Sequence, residues 1–418
     1  MLRISKGRAR NDSTRSMGAA QVVLGLVAQL TQQVVPIGTV LVVQRASGSL
    51  VQAGIAAAAF SLGAGMARPL QGRLIDRDGP RVVLIGTGCV HVVAVAAMTE
   101  GARLGMASWV LIGFAWLAGL GLPPVSVAMR IEWARRMPPD RRTAAYSLVF
   151  AVQEMAVLIG PLLFGAVVAL ASASIAIEVT ALAAGAGTLG LAFVMHGTRS
   201  MEMSAPGGNV LRNRRMWLLL AVVVLLGGAL GAMEVCLPAI ASAKDVPALS
   251  GLLVATVSLG GIVGAVCHAR VRWSVRPAVR LVLLLLAGGL ALIPAGVLTK
   301  LFVLALMLFL AGAAFNPALA TTSLLVDDLG LAPGEAFGWL STAVSAGAAA
   351  GAGLAGAMAE HAGAESDLLL AGAFGILGAL LSLTLTRLPS TADRKRPSIA
   401  GSEQSTAGVN GLPGDPSP

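Results

Sequence analysis

The sequence predicts an all-α membrane protein with twelve transmembrane helices in two pseudo-symmetric halves of six, with both termini cytoplasmic. Of its 418 residues, 56% are hydrophobic and only 12% are charged, about half the charged fraction of a soluble domain. The apolar residues form blocks near 20 residues long, the length that a helix needs to cross roughly 30 Å of hydrocarbon. The 51 glycines indicate close helix packing, with Gly260-x-x-x-Gly264 and Gly347-x-x-x-Gly351 as predicted packing faces.

The chain divides into two halves at a polar segment. A basic cytoplasmic tail (1–16) precedes the N-terminal six-helix bundle (17–196), a cytoplasmic linker (197–215) follows, and the C-terminal bundle (216–387) leads into a tail (388–418) predicted to be disordered. The first apolar run is too long for a signal peptide and lacks a clear cleavage site, so it is interpreted as span 1. The spans are predicted at 18–43, 50–71, 81–99, 105–128, 144–170, 173–195, 216–242, 248–269, 277–298, 301–326, 336–359 and 366–386.

The positions of Lys and Arg support this topology. With the N-terminus inside, 26 of the 30 basic residues fall on the cytoplasmic side, including a basic loop from Arg130 to Arg142. This asymmetry is typical of membrane proteins and explains the net charge of +10 without nucleic acid as a partner. The four basic residues outside are Arg45, Arg103, Lys244 and Lys300.

The three cysteines and four histidines are scattered, so no disulfide, metal site or cofactor is expected.

A charged turn between spans 2 and 3 carries a family signature. The stretch from Gly72 to Arg81 matches the pattern G-x-x-x-D-R-x-G-x-R, and the chain resembles the major facilitator superfamily over residues 17–387. The second half carries a degenerate copy at 268–277, which keeps only the basic character. The resemblance implies two six-helix bundles around a central cavity that opens alternately to each side. It assigns gating to Gly72, Asp76, Arg77, Gly79 and Arg81.

The turn also contains an acidic residue, Asp76, which is not needed to set the membrane topology. Span 11 begins near Glu335 on the same side, and a helix N-terminus carries about half a positive charge. Asp76 is therefore expected against that helix end, holding the two halves together. Asp327, Asp328 and Glu335 make loop 10–11 the one acidic inside loop, so it offers partners to the basic turns at 73–81 and 270–276. The alternative is a solvated loop that only sets topology.

Span 5 resembles a second pattern, found mainly in proton-coupled exporters of the same family. The matching residues are Gly160, Pro161 and Gly165, which predict a helix bend, because proline removes a backbone hydrogen bond. The bend is expected to pack span 5 closely against a helix of the other half. The exporters' arginine in span 4 has no counterpart in 114–119, so import stays an alternative to efflux.

Polar residues inside spans are candidates for coupling and substrate binding. Glu154 lies about ten residues into span 5 beside Gln153, where facing lipid would cost at least roughly 2.5 kcal/mol. It is the first candidate for proton coupling and Glu234 in span 7 is the second, with a structural hydrogen bond as the alternative role for each. Gln29 and Gln32 share a face of span 1, and with Gln153 and Asn316 they are the substrate-cavity candidates; interhelical hydrogen bonding is their alternative role.

These features predict a transporter rather than an enzyme. No phosphate-binding loop motif and no cluster of His, Asp or Cys near one face occurs in the sequence. We therefore expect a secondary active transporter, a monomer whose partners are a small-molecule substrate, protons and the lipid bilayer of the plasma or bacterial inner membrane. Proton-coupled efflux is the leading hypothesis. The alternatives are import or facilitated passage of a small polar metabolite, and a related sensor that does not transport.

Overall fold

The computed structural model describes residues 2–195, 210–243, 248–297, 300–362 and 366–387. Within these ranges the regular structure is entirely helical, which confirms the predicted all-α class. The thirteen α-helices are α1 (Leu2–Ser47), α2 (Leu50–Asp78), α3 (Pro80–Arg103), α4 (Ser108–Leu120), α5 (Val125–Arg136), α6 (Arg142–Leu170), α7 (Ala173–Val194), α8 (Arg214–Ala243), α9 (Ala248–Arg270), α10 (Pro277–Val297), α11 (Leu301–Leu329), α12 (Pro333–Ala362) and α13 (Ser366–Thr386).

These helices correspond to the twelve predicted spans. Among the described residues, eleven helical segments are long and apolar enough to cross a membrane, and α4 with α5 counts as one of them. The twelfth span is α2, whose 29 residues include charged positions at its end. We call the end of the molecule where α2 ends and α3 begins the basic side, which the Lys and Arg distribution assigns to the cytoplasm. The opposite end is the outer side.

Span 4 is broken into two helices and extends further than predicted. The helix stops around Gly121–Pro124 and resumes as α5 through Arg136, so the predicted loop starting at Arg130 is wrong. Arg130 is only 5% exposed because its guanidinium stacks 4.7 Å from the ring centroid of Phe150 and 5.5 Å from that of Phe337. Cation–π contacts of this kind compensate part of the cost of burying the charge.

Glycine contacts hold the helices of the C-terminal half together. Gly347 and Gly351 of α12 face the backbone of α8, and Gly260 and Gly264 of α9 face the backbone of α11. A Cβ at any of these four positions would overlap a carbonyl oxygen of the facing helix. The two predicted packing faces are confirmed, and each half has helices packed at backbone contact distance.

The two halves share buried side chains at the basic side. The main buried cluster consists mostly of C-terminal residues, but it includes Ile75, Ile131 and Tyr146 from the basic end of the N-terminal half. The buried cluster in the outer part of the N-terminal half contains only residues of that half. The buried side chains that the two halves share in these clusters therefore lie at the basic side.

Candidate functional site

Asp76 caps the start of α12 across the interface between the halves. Its Oδ1 accepts a hydrogen bond from the backbone N–H of Gly334, and its Oδ2 accepts one from that of Glu335, both at 2.8 Å. The carboxylate thus satisfies two of the N–H groups that a helix start leaves unpaired, and its charge complements the helix dipole. Burial raises the pKa of Asp76 above its ordinary value, while the two N–H donors act in the opposite direction.

Two further contacts join the same helix ends. Arg73 Nη2 lies 2.8 Å from Glu335 Oε1, and the bond to this carboxylate raises the pKa of the Arg73 guanidinium. Gly72 packs directly on Gly334, where a Cβ on either residue would overlap the carbonyl oxygen of the other. The glycine pair is what allows α2 and α12 to approach closely enough for Asp76 to reach the backbone. We call the contacts of Gly72, Arg73 and Asp76 with Gly334 and Glu335 the first inter-half contact.

The remaining signature residues lie around this contact without joining it. Gly79 ends α2 with φ = 85°, a conformation that residues with a Cβ rarely adopt. Arg77 is mostly exposed and lies 3.6 Å from Asp78. The Arg81 guanidinium lies 4.9 Å from the ring centroid of Phe193 on α7. These residues shape the turn that follows Asp76.

A second inter-half contact lies at the basic ends of α6 and α11. Tyr146 donates a hydrogen bond of 2.6 Å to Asp327 Oδ2, and Arg142 Nη1 lies 3.3 Å from the same oxygen. The acidic residue is in the last turn of α11, where the sequence places a loop, and its basic partner comes from the start of α6. Arg280, in the first turn of α10 just after the degenerate copy, adds a contact, since its Nη1 is 3.5 Å from Thr143 Oγ1. The sequence signal that could have identified Tyr146 as a functional residue is that it is the one tyrosine of the chain.

Glu154 lies in the interface between the halves, near the middle of α6. Its side chain lies close to Asn316 on α11 and Ser258 on α9, and a Cβ at Gly261 of α9 would overlap Asn316 Nδ2 and lie 3.3 Å from Glu154 Cγ. Ser258 and Asn316 are themselves buried. Glu154 is 12 residues from the start of a 29-residue helix, or about 18 Å along its axis. The structure thus groups two of the candidate residues, Glu154 and Asn316, in one cluster.

The other candidate polar residues occupy different environments. Gln153 is half-buried, and its Oε1 has no hydrogen-bond partner among the described residues. Gln29 is buried and donates to the carbonyl of Gly25 in its own helix, whereas Gln32 is half-buried on the same helix. Glu234 is on an exposed face of α8, apart from the Glu154 cluster.

His91 and Gln21 have structural partners. Both ring nitrogens of His91 are bonded, one to Thr31 at 2.7 Å and one to the carbonyl of Ala118 at 2.8 Å. His91 is therefore a packing residue whose hydrogen-bonding capacity is satisfied. Gln21 accepts a hydrogen bond of 2.7 Å from the indole of Trp133, which ties α1 to α5.

As expected, span 5 packs against helices of the other half, since α6 contacts α9 and α11. Pro161 lies inside α6, but Gly160 faces Gln33 and Val34 of α1, within the same half. The reason is helix periodicity: Pro161 is seven residues from Glu154 and shares its face, whereas Gly160 is rotated about 120° away. A Cβ at Gly165 would meet nothing within 4 Å, so this glycine does not pack against another of the described helices.

The fold and the interface define a class: a multi-pass membrane protein built of two six-span halves that touch at one membrane face. A family model described as the Major Facilitator Superfamily matches residues 21–333. The chain therefore belongs to this superfamily and is a membrane transport protein rather than an enzyme. Among curated proteins, none matches the sequence closely enough to count as a relative.

Solved structures share the fold at low sequence identity. A bacterial homologue of the iron transporter ferroportin in an outward-facing state aligns with a TM-score of 0.70 at 14% identity, covering 88% of this chain and 99% of that chain. The human organic anion transporter MFSD10 (TETRAN) gives 0.67 at 17% identity, with coverage of 87% and 98%. The transporter FucP in an outward conformation gives 0.67 at 15%, also with coverage of 87% and 98%.

Proposed function

We propose that the protein is a secondary active transporter that exchanges protons for a small solute, moving the solute out of the cell across the plasma or bacterial inner membrane. The observation that carries this proposal is Glu154, an ionisable side chain inside the membrane that lies against α9 and α11 of the other half, next to Gly261 and Asn316. An intramembrane carboxylate is retained at considerable cost, which favours a function for it.

The bonding of Glu154 suggests how protonation would be coupled to movement. An ionised carboxylate accepts charge-assisted hydrogen bonds from Asn316 and Ser258, and these are roughly twice as strong as neutral ones. Because both donors are in the other half, protonation weakens a contact between the halves. A proton entering from the outer side would thereby favour separation of the basic side. That sequence of events corresponds to exchange of an outside proton for an inside solute.

The two inter-half contacts supply the gate in this proposal. Asp76 with its partners on α12, and Asp327 with its partners on α6, close the basic side. Such contacts are individually worth on the order of 0.3–3 kcal/mol. That strength suits a gate that must also open. The first contact uses the signature residues Gly72 and Asp76, and it leaves Arg77, Gly79 and Arg81 to hold the turn.

Replacement of Glu154 by glutamine tests the coupling without knowledge of the substrate. Spin labels at exposed Met137 and Val275 form an inner pair on the basic side, and labels at exposed Leu104 and Phe302 form an outer pair. In the wild type, acidification should increase the long-distance population of the inner pair. In Glu154→Gln, the long-distance population of the inner pair should not change with pH and should resemble that of the acidified wild type. This population should increase about fivefold, since one charged acceptor is lost.

Glu178→Gln is the matched control, because this outer carboxylate lies 3.0 Å from Arg103 within the N-terminal half. It should leave the pH dependence of both distances unchanged. If Glu154→Gln keeps the pH dependence of the wild type, the assignment to Glu154 fails, and Glu234→Gln becomes the next variant to measure. Once a stabilising solute is found by a thermal-shift screen, its uptake into inside-out vesicles with an imposed pH gradient tests efflux against import.

Removal of the Tyr146 hydroxyl is expected to loosen the second inter-half contact. Tyr146→Phe deletes a 2.6 Å hydrogen bond to Asp327 and should increase the inner-pair long-distance population about fivefold, equivalent to roughly 1 kcal/mol. The Asp327→Asn variant should show a similar shift, and the double variant should show less than the sum. Fully additive shifts would mean that the two residues do not act through a shared bond.

A further inference from the structure

A cavity on the basic side lies between the two halves, beside the second inter-half contact. Its volume is about 620 Å³, within the range of small-molecule sites. One wall is the segment 139–144, which leads into α6, and the other is formed by 269–273 and the adjoining ends of α10 and α11. We call it the basic cavity.

The charge of the basic cavity is predominantly positive. Five arginines line it against three aspartates, Asp140, Asp327 and Asp328. Asp327 and Arg142 already pair with each other, which leaves four arginines and two aspartates. The five arginines are Arg141, Arg142, Arg270, Arg272 and Arg280.

One of these arginines is held in place by its surroundings. Arg280 is 5% exposed, its guanidinium lies 4.7 Å from the ring centroid of Trp273, and its Nη1 is 3.5 Å from Thr143 in the opposite wall. A guanidinium fixed in this way loses little side-chain entropy when it binds a ligand. Arg270 and Arg272 are exposed on the adjacent loop and can move toward a bound group.

We propose that the basic cavity binds a phosphate-bearing anion through arginines of both halves. Planar guanidinium groups match the oxygens of a phosphate in a bidentate manner. Several of them around one cavity suit a ligand with more than one negative charge and several acceptor oxygens. A soluble phosphate compound and an anionic lipid headgroup share this chemistry.

Occupancy of the basic cavity would affect the conformation of the protein. Because its walls belong to different halves, a ligand bridging them binds better when the basic side is closed and shifts the population toward that state. This consequence rests on the proposed alternation between outward-open and inward-open states. Binding of the anion does not rest on this alternation, so binding and the change in conformation can be measured separately.

The binding test uses inorganic pyrophosphate and the full chain in phosphatidylcholine nanodiscs, by calorimetry at constant ionic strength. We expect saturable binding at one site that Arg270→Gln with Arg272→Gln weakens at least about tenfold, since charged hydrogen bonds are lost. The matched control is Arg212→Gln with Arg214→Gln, which removes two exposed arginines from the same side but outside the cavity. It should change the affinity no more than about twofold.

A second arm identifies the source of the anion. Phosphatidylglycerol retained by the detergent-purified protein is counted by native mass spectrometry, for the wild type and both double variants. Retention that depends on Arg270 and Arg272, without pyrophosphate binding, identifies a lipid headgroup as the ligand. Binding of neither probe, or equal losses in the two double variants, would overturn the proposal. Pyrophosphate binding that leaves the inner-pair distance unchanged would support the site and count against alternating access instead.

Discussion

Replacement of Asp76 by asparagine is expected to open the basic side. The wild-type carboxylate places one oxygen on each of two backbone N–H groups at 2.8 Å. An asparagine side chain keeps one acceptor oxygen but turns an N–H₂ group toward the second donor. The loss of a charged acceptor at a helix start is worth roughly 1.5–3 kcal/mol, so the inner-pair long-distance population should rise about ten- to hundredfold.

Asp78 provides the control two residues away. It is exposed and lies 3.6 Å from Arg77 in the same turn, without a contact to the other half among the described residues. Asp78→Asn removes the same charge from the same turn and should leave the distance distribution unchanged. Equal effects of the two variants would show that net charge, and not the helix cap, closes the basic side.

A valine at Gly351 is expected to destabilise the whole protein. A Cβ at this position would overlap the backbone of Gly228 on α8, and a backbone cannot move aside as a side chain can. Overpacking of this kind should cost about 3 kcal/mol or more, which lowers the thermal midpoint by roughly 5–10 °C. Fluorescence-detected size-exclusion chromatography after heating measures this midpoint and the remaining monodisperse fraction.

Gly353 is the matched position on the same helix. A Cβ there would meet nothing within 4 Å, and the residue is exposed. Gly353→Val carries the same change in helix propensity without the overlap and should shift the midpoint by no more than about 2 °C. A comparable decrease of the thermal midpoint in both variants would show that helix propensity, and not the α8–α12 contact, causes the effect.

Much of the fold could be predicted because the bilayer imposes simple rules. The length of the apolar runs predicted the spans, and the distribution of Lys and Arg predicted their orientation in the membrane. The contact between Asp76 and the start of span 11 followed from the charge of a helix end. Burial of Glu154 in the interface followed from the cost of a charge in lipid.

The remaining features depend on tertiary contacts that no local pattern encodes. Arg130 reads as part of a basic loop, yet two aromatic rings from different halves make its burial tolerable. Asp327 reads as a loop acid, but its partners Arg142 and Tyr146 come from a distant span. Gly160 packs against α1 of its own half, because a one-residue step from Pro161 rotates the helix face by about 100°.

The cap on α12 also determines which substitutions the gate can tolerate. Asp76 bonds to the main chain at 334 and 335, and every residue but proline supplies the same N–H. Glu335 can therefore vary at the loss of its ion pair with Arg73 and of the hydrogen bond that it accepts from Trp339. Gly334 cannot, because any Cβ would overlap Gly72 and crowd the Asp76 carboxylate. A library randomised at both positions and selected for a closed basic side should accept many residues at 335 and return glycine at 334.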